Sequence, residues 1–147
     1  METKVLDILE EKKQETFSVT PDTTVFDTIK LMVEKNIGAM LVINENRLEG
    51  IFTERDYMKK IILKGYSSKE TPVKDVMTEK VAYISPDAFL EEGLAVMSEK
   101  QCRHLPVFEN KKLLGVISIG DLAKRIIKDQ KVTISNLNEY IAGNWGQ

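Results

Sequence analysis

A single cysteine (Cys102), a single histidine (His104) and a single tryptophan (Trp145) stand in a chain of 147 residues. One cysteine closes no internal disulfide, so the fold must hold without a covalent staple, which fits a reducing cytosol. One histidine excludes a multi-histidine metal centre within one chain. Cys102 and His104 with Asp121 also fall short of a catalytic set, because a nucleophilic pair needs a positioned partner and an oxyanion site that no nearby pattern supplies. No apolar run is long enough to cross a bilayer, and acidic residues interrupt the N-terminal METKVLDILEEKK where a secretory signal needs an apolar stretch. A soluble, cytoplasmic protein without a membrane partner is expected. A surplus of one charge is missing too: 21 Lys and Arg against 23 Asp and Glu leave a net charge of -2. Bulk charge therefore gives no general attraction to a phosphate backbone, and no nucleic-acid partner is expected. No Pro-rich, Gly/Ser-rich or low-complexity tract marks a long disordered arm.

What is present is an internal duplication. Hydrophobic residues make up 42% of the chain, enough for one sizeable core or two small cooperating ones. Slid along itself by 65 residues, the chain places Pro21-Asp22 on Pro86-Asp87, Met32 on Met97, Gly50 on Gly115, Asp56 on Asp121 and Ile61-Ile62 on Ile126-Ile127. Upstream, the VLDIL of residues 5–9 matches the VKDVM of residues 73–77 at an offset of 68, so the first copy carries three extra residues between these parts. The charged stretch Glu10 to Glu15 is the natural place for them. Residues 1–68 and 69–134 are the expected repeats, with 135–147 as a C-terminal helix or tail.

Periodicity changes in the same order in each copy. Phe17 to Thr20 and Val81 to Ile84 read as short extended segments. Thr20 and Ser85 are expected helix N-caps, with Pro21 and Pro86 at the first helical position. Helices are predicted through Val25, Ile29, Met32 and Val33, and through Phe89, Leu90, Leu94 and Met97. Two β-type runs follow in each copy, Ala39–Ile43 with Leu48–Phe52 and His104–Phe108 with Leu113–Ile117, short enough to form hairpins of open turn type. A second helix begins near Thr53 or Ser118. The unit is β-α-β-β-α, and an α/β (α+β) fold of two such units packed with pseudo-twofold symmetry buries both sheets. Gly65 to Pro72 is the connector. A short helix through Ile134, Leu137, Tyr140 and Ile141 is expected at the end, packing on its own chain or on a second copy.

Two corners carry the chemistry. In Gly50-Ile51-Phe52-Thr53-Glu54-Arg55-Asp56 and Gly115-Val116-Ile117-Ser118-Ile119-Gly120-Asp121, a strand passes through a hydroxyl residue into a helix whose third residue is Asp. Two readings stay open. The Thr/Ser-x-x-Asp pattern is that of a capping box, with the hydroxyl accepting from a backbone N–H and the carboxylate reaching back. Alternatively, free N–H groups and the hydroxyl meet a phosphate while the carboxylate accepts from a ribose diol. Gly50 and Gly115 would then allow a ligand close to the backbone, with Arg55 as a phosphate clamp. Lys59-Lys60 and Lys124-Arg125 either receive distal phosphates or are solvated surface. His104 is left between local packing and ligand contact.

The chain resembles a cystathionine-beta-synthase-type (CBS) domain pair, or Bateman module, over nearly its whole length. GIFTERD and GVISIGD match the family's Gly-hydrophobic-x-Ser/Thr-x-x-Asp signature, and RHLPV matches its second strand start. TERDYMKKII and NLNEYIAG resemble the stand-alone two-domain subgroup. The resemblance implies a groove with up to two ligand sites. Thr53 and Asp56 would contact phosphate and ribose in one, and Ser118 and Asp121 in the other. The base would sit against Val19, Thr20, Gly38, Ala39 and Met40, or against Ile84, His104, Leu105 and Pro106, with Arg55, Arg103 and His104 as phosphate partners. It implies AMP, ADP, ATP or an NAD-type dinucleotide (NAD or NADH) as ligand, with S-adenosylmethionine a lesser candidate. It also implies homodimers and a regulated protein of unidentified kind. Non-catalytic sensing is the leading reading. A purely structural dimerisation module and a nucleotide-dependent enzyme are the alternatives.

Overall fold

The computed structural model describes residues 2–13 and 15–130. The expected helix around Ile134 to Ile141, and Trp145, lie outside the described residues. The chain runs through α1 (Val5–Lys12), β1 (Ser18–Val19), α2 (Val25–Lys35), β2 (Ala39–Asn44), β3 (Arg47–Thr53) and α3 (Glu54–Asp56), the last continued by a π-helical segment, Tyr57–Ile62. A 3-10 turn (Val73–Asp75) opens the second half, followed by α4 (Leu90–Lys100), β4 (His104–Glu109), β5 (Lys112–Ser118) and α5 (Ile119–Asp129). The predicted β-α-β-β-α order holds in both halves, with the opening strand of the second reduced to a single bridge.

In the first half β1 pairs in parallel with β2, and β2 antiparallel with β3. In the second half β4 and β5 form the matching hairpin, while the expected strand Val81–Ile84 is reduced to one parallel bridge from Ile84 to Val107. Both hairpins turn on two residues of positive φ, Glu45 (49°) with Asn46 (66°) and Asn110 (50°) with Lys111 (67°). That backbone follows the right-handed twist of the flanking strands.

The two N-terminal arms exchange places. Val5 and Ile8 of α1 are buried in the core of the second repeat with Ile84, Leu90, Met97, Leu105, Val107, Ile117 and Leu122. Val73 and Val76 are buried reciprocally in the first repeat's core with Val25, Met32, Met40, Val42, Phe52 and Ile61. Backbone bonds repeat the exchange: the Val5 N–H donates to Ala88 O (2.8 Å) and the Leu6 N–H to Pro86 O (3.0 Å), matched by Val73 to Thr23 O (2.7 Å) and Lys74 to Pro21 O (3.1 Å).

This exchange explains why the helices begin later than expected. Pro21 and Pro86 sit in turns whose carbonyls receive the opposite arm, so neither opens a helix. Helix α2 starts at Val25, whose N–H is satisfied by Thr71 O (2.9 Å), and α4 at Leu90, whose N–H is satisfied by Thr3 O (2.8 Å). The expected caps are corrected accordingly. Thr24 caps α2 by accepting from the Asp27 N–H at 3.1 Å, Thr20 instead bonds Thr23, and the Ser85 hydroxyl accepts from the Asp87 N–H. Along α2, Val25, Thr28 and Met32 face the core, whereas Val33, expected on the same face, is 74% exposed because one residue beyond Met32 turns it about 100° off the stripe.

Candidate functional site

Both corners form the capping box their sequence suggests. At the first, the Thr53 hydroxyl accepts from the Asp56 N–H (3.2 Å), and Asp56 Oδ2 accepts from the Thr53 N–H (3.0 Å) and hydroxyl (3.1 Å). Oδ1 accepts from the Thr78 hydroxyl (3.0 Å) and pairs with Lys60 Nζ (3.2 Å). With the residue only 6% exposed, this carboxylate is engaged on both oxygens. At the second corner the Ser118 hydroxyl accepts from the Asp121 N–H (3.1 Å), and Asp121 Oδ2 accepts from the Ser118 N–H (2.8 Å). The same oxygen pairs with Lys12 Nζ at 2.9 Å, and Lys12 also donates to Val116 O at 2.9 Å. Among the described residues Oδ1 of Asp121 takes no hydrogen bond. The two corners therefore share a backbone but differ in what their carboxylates can still accept.

Each corner opens onto a cleft shared with the other repeat. The wide cleft, about 1050 Å³, joins Thr53, Arg55 and Asp56 to Lys80–Ala82 and to Lys100–His104. The narrow cleft, about 300 Å³, joins Ser118 and Asp121 to Lys12, Phe17 and Asn36–Ala39. Gly38, Ile51 and His104 line both and form the partition. A Cβ on Gly38 would run into the Glu54 carboxylate, which would have to swing aside, and would come within 3.5 Å of the His104 ring.

Nine of the fifteen sequence-predicted site residues line a cleft: Gly38, Ala39, Thr53, Arg55, Asp56, Arg103, His104, Ser118 and Asp121. Six do not. Met40, Ile84, Leu105 and Pro106 are buried as core or strand residues, Val19 packs against the first core, and Thr20 bonds Thr23 in the turn before α2. Gly50 and Gly115 both make room for protein, although Gly115 also lines the narrow cleft. Residues Ile51 and Thr78 exchange backbone bonds of 2.9 and 2.8 Å, and a Cβ on Gly50 would lie 2.7 Å from Thr78 O. At Gly115 the close neighbour is Leu9, so both glycines admit the exchanged arm. Sequence reasoning missed Lys12, Thr78 and Lys80. The 68-residue offset of the arms, which superposes Lys12 on Lys80, is the signal that could have found the two lysines.

Burial pushes the His104 imidazole below the usual histidine range; Lys12 adds to this, Glu54 and Asp121 oppose it, and Arg103 adds slightly. Burial therefore favours the neutral form of His104 in this wall. Burial also raises the Cys102 thiol, which is partly exposed at the rim of the wide cleft rather than fully enclosed, and a raised thiol is a poor nucleophile. Among the described residues no group of three or more His, Cys, Asp and Glu side chains could hold a metal ion.

The CBS domain model matches residues 4–63 and 73–128, which spans both arms, both sheets and both corners. The chain belongs to the CBS-domain family. It is 38% identical over 131 residues to the mitochondrial CBS domain-containing protein CBSX3 of Arabidopsis thaliana, covering 86% of this chain and 64% of that protein's length. A CBS-domain protein of Burkholderia ambifaria MC40-6 has the same fold at a TM-score of 0.85 and 47% identity, over 90% of this chain and 100% of that one. The CBS-domain containing protein ATU1752 from Agrobacterium tumefaciens gives a TM-score of 0.81 at 33% identity, over 85% and 100%. The CBS pair here is thus a tandem one, with α/β repeats in which each cleft draws on both copies. No helix of the described residues is long and apolar enough to cross a membrane.

Proposed function

We propose that this chain is a non-catalytic regulatory module that takes an adenine nucleotide (AMP, ADP, ATP or an NAD-type dinucleotide) in its inter-repeat clefts and passes occupancy to a regulated protein in the cytoplasm. The observation that carries this reading is the composite wall: each cleft sets the hydroxyl–carboxylate corner of one repeat against the strand start of the other. A ligand that touches both changes how the halves prefer to sit, and a signal needs such a difference in affinity between arrangements. Asp121, with one oxygen uncommitted, suits a ribose diol, and Gly38 and Ala39 line the same cleft.

Titration calorimetry of nucleotide-free protein with AMP, ADP, ATP, NAD, NADH and S-adenosylmethionine tests this. Binding of at least one adenosyl compound, weakened by Asp121→Ala without unfolding, is the expected result. No heat with any of them would leave a structural dimerisation module, and steady consumption of ATP or NADH would make the chain an enzyme.

The partner surface is read from the two equivalent second helices. Met58 and Ile62 on the first and Ile119 and Ile127 on the second are 45–58% exposed, apolar side chains suited to contact with a second copy of the chain. Light scattering should give a dimer that Ile62→Glu with Ile127→Glu dissociates.

A further inference from the structure

The charges around the two clefts are unequal, and the repeat register shows where the inequality comes from. Six cations line the wide cleft, Arg55, Lys59, Lys60, Lys80, Lys100 and Arg103, against the two carboxylates Glu54 and Asp56. One lysine, Lys12, lines the narrow cleft, against Glu15 and Asp121. Position by position, five of the six have a counterpart that is lost or diverted, while the sixth, Lys59, keeps a lysine at Lys124 that does not line the narrow cleft. Arg55 corresponds to Gly120 and Arg103 to Gly38, neither of which has a side chain. Lys100 corresponds to Lys35, which lies over the Phe17 ring at 5.0 Å. Lys60 corresponds to Arg125, tied to Glu11 at 3.0 Å and Asp129 at 3.1 Å, and Lys80 to Lys12, tied to Asp121. In the wide cleft, by contrast, Lys59, Lys80, Lys100 and Arg103 form no ion pair among the described residues. The carboxylates complete the contrast: Asp56 is saturated, while Asp121 keeps an oxygen for a sugar hydroxyl.

We propose that the two clefts sort adenosyl ligands by phosphate count, the wide one taking the nucleoside triphosphate class and the narrow one a nucleoside with at most one phosphate. This rests on the nucleotide-binding reading above and adds a ligand class to each site. The wide cleft holds its ligand chiefly by the phosphate chain, through ammonium and guanidinium groups from three parts of the fold. The narrow cleft holds the ribose through Asp121, and its one lysine has charge for a single phosphate only if it leaves that carboxylate.

The test is calorimetry on the full chain with adenosine, AMP, ATP and inorganic triphosphate, using wild type, Lys80→Ala with Lys100→Ala, the charge-conserving Lys80→Arg with Lys100→Arg, and Asp121→Ala. The alanine pair should weaken ATP about tenfold or more, since each lost charge-assisted contact is of that order. It should leave adenosine and AMP within about twofold, and the arginine pair should retain ATP binding. Asp121→Ala should weaken adenosine and AMP and spare ATP. Equal weakening of ATP and adenosine by the alanine pair, or none of ATP, overturns the sorting while nucleotide binding stands. Inorganic triphosphate binding as tightly as ATP also overturns it, since the wide cleft would then be an anion patch blind to the nucleoside. If no adenosyl compound binds, the sorting and the reading beneath it fall together.

Discussion

Lys12, near the chain's N-terminus, places its ammonium 2.9 Å from the Asp121 carboxylate at the start of α5. The contact joins the arm of the first repeat to the corner of the second. Both side chains are about four-fifths buried, and the lysine is fixed further by Val116 O. Lys12→Met should therefore cost about 1–2 kcal/mol, more than an exposed pair, because it leaves a mostly buried carboxylate short of its partner. Denaturation of Lys12→Met, Asp121→Asn and the double variant forms a cycle. A coupling of about 1 kcal/mol is expected, and a value near zero would show the pair to be incidental.

Asp56 is the more structural of the two corner carboxylates. Removing it strands the Thr53 N–H, the Thr78 hydroxyl and Lys60 at once. Asp56→Ala should destabilise the fold by about 3 kcal/mol, whereas Asp121→Ala should cost roughly half that, as read by urea midpoints.

The exchanged arms predict a long-range effect of a short-range change. Ile8→Ala removes a side chain buried among residues of the second repeat and should cost about 2–5 kcal/mol. Leu63→Ala, at a position 79% exposed, should stay within about 0.5 kcal/mol. Hydrogen exchange should show the Ile8 variant loosening β4 and β5 before β2 and β3, and the reverse order would contradict the exchange.

The pH dependence follows from His104. Its folded-state pKa lies below the unfolded one, so the unfolded chain takes up the proton first as pH falls. This contribution to stability is complete above the unfolded value and is lost as pH drops from there toward the folded value. The denaturation midpoint of the wild type should decline as pH falls below about 6.5, and His104→Gln should flatten that slope. Lys12, Arg103, Glu54 and Asp121, the charged groups around the imidazole, remain in the variant.

Local rules and the duplication carry most of the fold. The hairpins, the helices after each corner and both capping boxes lie where residue type and spacing put them, because hydroxyl caps, third-position carboxylates and alternating apolar strands act over a few residues. The helix starts at Val25 and Leu90 were not legible, since the bonds that set them come from Thr71 and Thr3, far away in sequence. The corner residues were found for the same local reason, whereas Met40, Ile84 and Pro106 read as base contacts but are consumed by core and ladder. Which corner faces which strand start is a property of the pseudo-twofold packing, and nothing in the spacing of the motifs encodes it.

A repeat expressed alone would keep its hairpin and helices but present a bare trough where the other copy's first segment belongs. Two such halves would have to trade segments between molecules, at a rate and yield set by their concentration. Tethering them in one chain turns that bimolecular trade into an internal one, so assembly no longer depends on dilution. The duplication is therefore a smallest indivisible folding unit, and cutting it at the Gly65–Pro72 connector should give fragments that regain the native spectrum only on mixing.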